Sequence, residues 1–339
     1  MALVVMADFF RERAVLLTGG TGFIGRRLVA ALRVQGARLR VLVRPNSAVP
    51  TDWYGVETAL GDLGDAASLT RACAGMSAVI HAAGFAHVDA ADTPDFAARH
   101  WAINAEGTFR LLDAAAASGV ERFAFLSSVK AVGDPGPRCA GEEWGAPPDT
   151  PYGRAKRAAE ERVLAVGRER EMHVANLRPV LVYGPGMKAN LARLLDAVRR
   201  GRLPPLPETG NRRSLVHADD VVQAVLLAVA HPAAAGKTYF VTDGQPYSGR
   251  DLYVIVRRAF GLPAPRWAVP ASVLRGAAGL VDGALKLAGR RDAKARSALD
   301  KLLGWACYDS SRIGAELGYQ PAWTLLRYCE DIGLRGYRK

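Results

Sequence analysis

Short apolar runs alternate with helix-length stretches through the first half of the chain. The runs "AVLLT" (14–18), "RLRVLV" (38–43), "VETAL" (56–60), "AVIHAAG" (78–84), "RFAFLSS" (122–128) and "HVANLR" (173–178) are too short for helices and rich in branched residues, so they predict strands. Segments around 23–36, 66–74, 92–118 and 152–168 carry helical periodicity. Strands alternating with helices predict a parallel, doubly wound α/β sheet. After Tyr183 the pattern loosens, with Gly/Pro-rich loops "GPGMKAN", "GRLPPLPETGN" and "GLPAPRWAVP" between shorter helices. This divides the chain into a first lobe, 1–183, and a smaller C-terminal α/β lobe, 184–339. Segments around 214–241, "SLVHADD" and "TYFVTD", could return to the first lobe.

The 339 residues are 50% apolar and 23% charged, the balance of an ordinary globular protein with one large or two moderate cores. A net charge of +12 raises nucleic-acid binding, but the cations form no run, which favours a solvated arginine-rich surface or a cleft for a small polyanion. Cys73, Cys139, Cys307 and Cys329 lie far apart and form no metal-ligand spacing. Neither a disulfide framework nor a zinc site is expected, which fits a reducing cytosol. "MALVVMADFFRE" is too short for a leader and is interrupted by Asp8. Residues 267–289 are apolar but broken by Arg275, Asp282 and Lys286, which suits an amphipathic helix better than a membrane span and leaves peripheral membrane contact open.

The first strand runs into "TGGTGFIGRRLVAAL", where Gly19, Gly22 and Gly25 stand three apart between strand and helix. Glycines there let the backbone approach a pyrophosphate lying at the positive helix N-terminus, so a Rossmann-type dinucleotide site is expected. An acidic residue ending the second strand would grip the ribose of NAD. Arg44 stands there instead and favours NADP over NAD; if it only stacks on the adenine, either cofactor fits. Asp62 could cap the adenine amino group or serve as a turn aspartate.

"PYGRAKRAAEE" (151–161) reads as a helix start that places Tyr152 and Lys156 one turn apart on one face. A lysine beside a phenol lowers its pKa, which would let the tyrosine exchange a proton near neutrality. Upstream, Ser127 and Ser128 end a strand at its carboxyl edge, where parallel sheets present their ligands. A hydroxyl there can hydrogen-bond a carbonyl or alkoxide oxygen, or merely cap the strand.

In order, "TGGTGFIG", "IHAAG" (80–84), "NAEGT" (104–108), "LSS", "YGRAK", "RPVLVYGPG" (178–186) and "NRRSLVHADD" (211–220) span most of the chain. Together they resemble the extended short-chain dehydrogenase/reductase family. The resemblance implies Tyr152 as general acid/base, Lys156 on the nicotinamide ribose and Ser128 on the substrate oxygen. It implies a cofactor shell of Gly19, Gly22, Phe23, Ile24, Gly25, Arg44, Asp62, Leu63, His81, Ala82, Ala83, Asn104 and Ser127, joined by Tyr152 and Lys156.

The second-lobe motifs resemble the nucleotide-sugar branch, above all bacterial UDP-N-acetylhexosamine enzymes. There an asparagine after "GPG" and an arginine before "LVHADD" hold the diphosphate; Asn190 and Arg213 match, with Arg212 an alternative. A further arginine from 290–296 could complete that clamp, whose planar forks suit phosphate. A dehydratase would need an Asp-Glu pair where Val129 and Lys130 stand, so water elimination is not expected. Hydride transfer at C4 of a UDP-hexose or UDP-N-acetylhexosamine remains, either as 4-epimerisation or as reduction of a 4-keto sugar, with Arg44 favouring reduction. A steroid- or flavonol-type ketone reductase and a non-catalytic NADP-sensing protein are the alternatives. The resemblance also implies a homodimer, formed through the helices at 92–118 and 152–168.

Overall fold

The computed structural model describes residues 8–85, 93–187, 190–288 and 295–336. Residues 8–10 are helical (α1) and lead into the first βα unit. In chain order there follow β1 (Ala14–Thr18), α2 (Gly25–Val34), β2 (Arg38–Val43), β3 (Glu57–Leu60), α3 (Ala66–Cys73), β4 (Ala78–His81) and α4 (Pro94–His100). A π-helical stretch, Trp101–Glu106, joins α4 to α5 (Gly107–Ala117), and β5 (Arg122–Leu126), β6 (Cys139–Ala140), α6 (Pro151–Glu169) and β7 (His173–Pro179) complete the first half. The second half holds β8 (Leu181–Tyr183), α7 (Asn190–Arg199), β9 (Arg213–His217), α8 (Ala218–Ala230), β10 (Lys237–Val241), β11 (Pro246–Tyr247) and α9 (Gly249–Ala259). Last come α10 (Ala271–Leu287), α11 (Ala295–Leu303), β12 (Cys307–Tyr308), α12 (Ser311–Leu317) and α13 (Leu325–Gly336).

Seven parallel strands form the main sheet in the order β10-β7-β5-β4-β1-β2-β3. Its central strands are buried on both faces, which is why β1 and β4 read as unbroken apolar runs rather than alternating ones. The order reverses between β1 and β4, where Thr18 pairs in register with His81. Ligands of such sheets bind outside the carboxyl ends at that switch point. β10 lies in this sheet, beside β7, although it comes from the second half of the chain. β8, β9 and β11 form a separate three-stranded sheet backed by a second core containing Tyr183, Leu195, Leu252 and Tyr253.

Several elements end earlier than the apolar pattern suggests. β4 stops at His81 and β5 at Leu126; a little further on, the Ala83 amide turns to Thr18 Oγ1 and the Lys130 amide to Ser128 Oγ. The continuous pattern over 92–118 hides three pieces, and the π-helical stretch shifts register between α4 and α5. The apolar stretch 267–289 does contain a helix, α10, but only Leu274 of its residues is buried.

The cysteine expectation is corrected: Cys139 and Cys307 form a disulfide, brought together where β6 pairs with β12. The partners are 168 residues apart, so no spacing in the sequence could signal the bond. Cysteine usage therefore no longer argues for a reducing compartment. Among the described residues no group of three or more His, Cys, Asp or Glu could hold a metal ion, and no helix is long and apolar enough to cross a membrane.

Candidate active site

The glycine turn after β1 is built by backbone contact. Gly19 adopts φ +74°, and a Cβ there would meet the Ala82 carbonyl and the Ala83 amide nitrogen within 2.7 Å. A Cβ on Gly25 would strike the Gly19 carbonyl, and one on Gly22 would lie 3.1 Å from the same oxygen. The turn can thus close onto the residues after β4 only because it carries no side chains. Phe23 and Ile24 lead into α2. Arg27 stacks on Phe23 and reaches across to Asp219 and to the Pro185 carbonyl, tying the turn to the start of α8.

At the switch point His81 is fully buried, with Nδ1 2.6 Å from Thr18 Oγ1 and Nε2 3.0 Å from Thr108 Oγ1. Burial, helped by the Lys156 charge, pushes its pKa down to about 3, so the ring is neutral. Thr18 Oγ1 also accepts the Ala83 amide at 3.2 Å, which fixes the chain leaving β4. Asn104 sits in the π-helical stretch and clamps Phe85 in both directions, accepting its amide at 2.8 Å and donating to its carbonyl at 2.9 Å. A Cβ on Gly84 would lie 2.9 Å from Asn104 Oδ1 and 3.6 Å from Lys156 Nζ, so these three residues converge.

Thr150 caps α6 by accepting the Gly153 amide, and Pro151 occupies the first turn. The helix then projects Tyr152 and Lys156 toward the end of β5. Ser128 hydrogen-bonds the Tyr152 phenol while its Oγ accepts the Lys130 amide at 3.2 Å. The His100 ring packs edge-on to Tyr152 with centroids 5.5 Å apart. Lys156 Nζ donates to the Leu126 carbonyl at 2.9 Å and lies over the Phe125 ring.

The electrostatics differ from the sequence reading in one respect. Burial pushes the Tyr152 phenol up to about 12, opposed only by the Ser128 hydrogen bond, and Lys156 contributes no lowering of it. Lys156 is itself pushed down to about 8 by burial, against the pull of Glu160. The ammonium is engaged with the Leu126 backbone carbonyl.

A nicotinamide dinucleotide fits these residues on two observations. The turn at Gly19, Gly22 and Gly25 leaves a side-chain-free cradle at a helix N-terminus. The buried Ser127 Oγ has no hydrogen-bond partner, beside the ends of β4 and β5 where a polar ring edge could satisfy it. Arg44, just past β2, is exposed and makes no ion pair among the described residues. Asp62 follows β3 and accepts the Gly64 amide at 2.8 Å, as a turn aspartate does; Leu63 packs where a Cβ on Gly107 would come within 2.9 Å.

The substrate-side candidates are less assembled. Asn190 opens α7, but its side chain lies outside the described residues. Arg213 opens β9 and donates to the Lys301 carbonyl, while its buried Nε has no partner. Arg212 bonds the Asn211 carbonyl. Of the 290–296 arginines, those at 290–294 lie outside the described residues, and Arg296 donates its backbone amide to Asp282.

Sequence reasoning missed Gly153, where a Cβ would strike the Lys130 carbonyl and come within 2.9 Å of Pro148. It also missed the buried Glu160–Arg178 pair behind Lys156, joined by two bonds of 2.9 and 2.6 Å. The glutamate one turn after the lysine was the available signal for the second.

Comparison with known proteins matches residues 15–241 to the NAD dependent epimerase/dehydratase family. A UDP-glucose 4-epimerase of Vibrio cholerae is 32% identical over 324 residues, 92% of each chain. A 2-alkyl-3-oxoalkanoate reductase of Stenotrophomonas maltophilia is 31% identical over 259 residues, covering 74% of this chain and 76% of the relative. Among solved structures, a short-chain dehydrogenase/reductase superfamily protein from Agrobacterium tumefaciens with bound NAD superposes with a TM-score of 0.70 at 27% identity, covering 96% and 98% of the two chains.

Proposed function

The chain belongs to the NAD-dependent epimerase/dehydratase family, as an enzyme of the extended short-chain dehydrogenase/reductase type, and from that premise we propose that it transfers a hydride at C4 of a UDP-hexose or UDP-N-acetylhexosamine. Reduction of a 4-keto sugar with NADPH is placed ahead of 4-epimerisation. The observation that carries the chemistry is the hydrogen-bonded Ser128–Tyr152 pair flanked by Lys156 and the unpartnered Ser127 hydroxyl.

The cofactor, when bound, supplies or accepts the hydride. Gly19, Gly22, Phe23, Ile24 and Gly25 hold its pyrophosphate end, and Ser127 and Lys156 its nicotinamide end. Ser128 orients the substrate oxygen. Tyr152, kept protonated by burial, gives that oxygen its proton. Exposed Arg44 suits a 2′-phosphate and so supports the NADPH-dependent direction. Val129 is buried and Lys130 exposed, so the two positions that follow Ser128 offer no carboxylate for eliminating water.

The nucleotide-sugar reading draws on the epimerase relative and on the match of Asn190 and Arg213 to that branch. A ketone reductase acting on an apolar substrate is the second reading, favoured by the oxoalkanoate reductase relative and by the Arg213 bond to the Lys301 carbonyl. The homodimer belongs to this proposal as well, with the helical segments 92–118 and 152–168 as its contact surface; light scattering at micromolar concentration should give twice the chain mass.

The test is to denature the purified protein, identify any released nicotinamide, and assay NADPH consumption. Oxidation of NADPH with a UDP-4-keto-6-deoxy-hexosamine supports the proposal. Stoichiometric NAD retained through purification overturns the NADPH leaning in favour of epimerisation. Turnover of a 2-alkyl-3-oxoalkanoate, without turnover of the sugar, supports the second reading.

A further inference from the structure

Helix α10 is turned inside out. Of its 17 residues only Leu274 is buried, whereas Val273 is 57%, Leu280 78%, Val281 49% and Leu287 93% exposed. Val273, Ala277, Leu280, Ala284 and Leu287 recur at alternating steps of four and three, so they form one apolar stripe along the helix, and that stripe faces away from the protein. Trp267, 62% exposed, stands just before the helix and extends the apolar surface.

Polar residues on the same hairpin are arranged around the stripe, not on it. Asp282 is turned toward α11, where its carboxylate oxygens accept the Ala295 and Arg296 amides at 2.7 and 3.0 Å. Asp300 pairs with Arg275 at 3.0 Å. Arg266 and Lys286 are exposed at the two ends of the apolar surface. Among the described residues of 266–301, five lysines and arginines stand against two aspartates. The two described aspartates are thus already committed to partners within the hairpin, leaving the outer face apolar and cationic.

We propose that α10 seats this protein on an anionic lipid bilayer, lying flat with its apolar stripe and Trp267 among the headgroups and its flanking cations on lipid phosphates. The helix is too short and too charged to span a bilayer, but an apolar face rimmed by arginine and lysine is what interfacial binding requires. Charge decides between the two possible covers. A second copy would set one cationic hairpin against another, which like-charge repulsion disfavours, whereas anionic headgroups complement it. Neither Trp267 nor any residue of the apolar stripe belongs to the candidate active site, so the proposal stands apart from the choice of substrate.

The experiment is co-sedimentation of the full chain with vesicles of phosphatidylglycerol and phosphatidylcholine, and with phosphatidylcholine alone. Binding to the anionic vesicles is expected, weakened by high salt. It should fall at least about tenfold in the Leu280→Glu/Leu287→Glu variant, because a charge in the buried stripe opposes insertion. That variant should keep the wild-type circular dichroism and melting temperature, since both side chains are solvent-exposed. Absence of sedimentation with anionic vesicles overturns the proposal. So does equal binding by the variant, or a vesicle-free dimer that the variant converts to monomer, which would make a second copy the cover.

Discussion

The Ser128 hydroxyl faces two ways, toward the Lys130 amide that it caps and toward the Tyr152 phenol. The capping reading of the strand-end serine is therefore met by the structure, and the proposed catalytic role would use the same atom, so a sequence cannot separate the two. Tyr152 has a narrower role. Replacement by Phe keeps the ring and its packing on His100 but removes the proton, so Tyr152→Phe should lose turnover by at least about a hundredfold while still binding cofactor. Steady-state kinetics beside a cofactor titration would check it, and near-normal turnover would remove Tyr152 from the mechanism. Lys156 predicts the pH profile. Its pKa is pushed down to about 8, so its ammonium is mostly present at neutral pH and is lost as pH rises through that value. Since kcat/KM reports ionisations of the free enzyme, it should fall on the alkaline side from about pH 8. His81 does not complicate the profile above pH 5, because burial keeps it neutral down to about pH 3.

At the scale of elements, the site depends on how closely the start of α6 approaches the turn after β5. Gly153 makes that approach possible, since any Cβ there would strike the Lys130 carbonyl. Gly153→Ala should push the two elements apart and separate Tyr152 from Ser128, lowering kcat by at least about tenfold, because small misplacements of catalytic groups cost rate steeply. Overpacking of this kind also costs about 1–3 kcal/mol of stability, readable by urea denaturation. A loss of stability with kcat unchanged would mean that the turn adjusts without moving Ser128. The elements themselves were legible from sequence wherever burial imposed a pattern: β1, β2, β5 and α6 fall within a few residues of their expected bounds because their apolar positions have one possible inside. Three helical pieces were read as one over 92–118, since an apolar pattern records which face is buried and not a change of hydrogen-bond register. The outward face of α10 was equally hidden, because periodicity shows that a helix has an apolar face but not which way it points. The same limit applies to the Tyr152 and Lys156 pKa values, which are set by desolvation that only the folded packing creates.

Across the whole molecule, long-range ties join the C-terminal segments to the main sheet. Asp220, at the start of α8, accepts the Ala322 and Trp323 amides ahead of α13, and Asp243, just past β10, accepts the Tyr183 and Tyr247 hydroxyls. The Cys139–Cys307 disulfide adds a covalent tie between the loop that follows the Ser128 turn and β12. Constraint of a loop this long restricts the unfolded chain, and removing a native disulfide typically costs about 2–5 kcal/mol. Cys307→Ser should lower stability by that amount in urea denaturation while the main sheet stays intact. Wild-type protein in reductant should then match the variant, because both lack the same cross-link. The functional effect should be uneven. The glycine turn is held by contacts between β1, α2 and the residues after β4, none of which uses the disulfide, so cofactor affinity should persist. The segment 133–150 lies between the Ser128 turn and the α6 N-terminus and is pinned at Cys139, so release of that pin should lower kcat more than it weakens cofactor binding. A denaturation midpoint indifferent to reductant would show that the β6–β12 pairing holds without the bond.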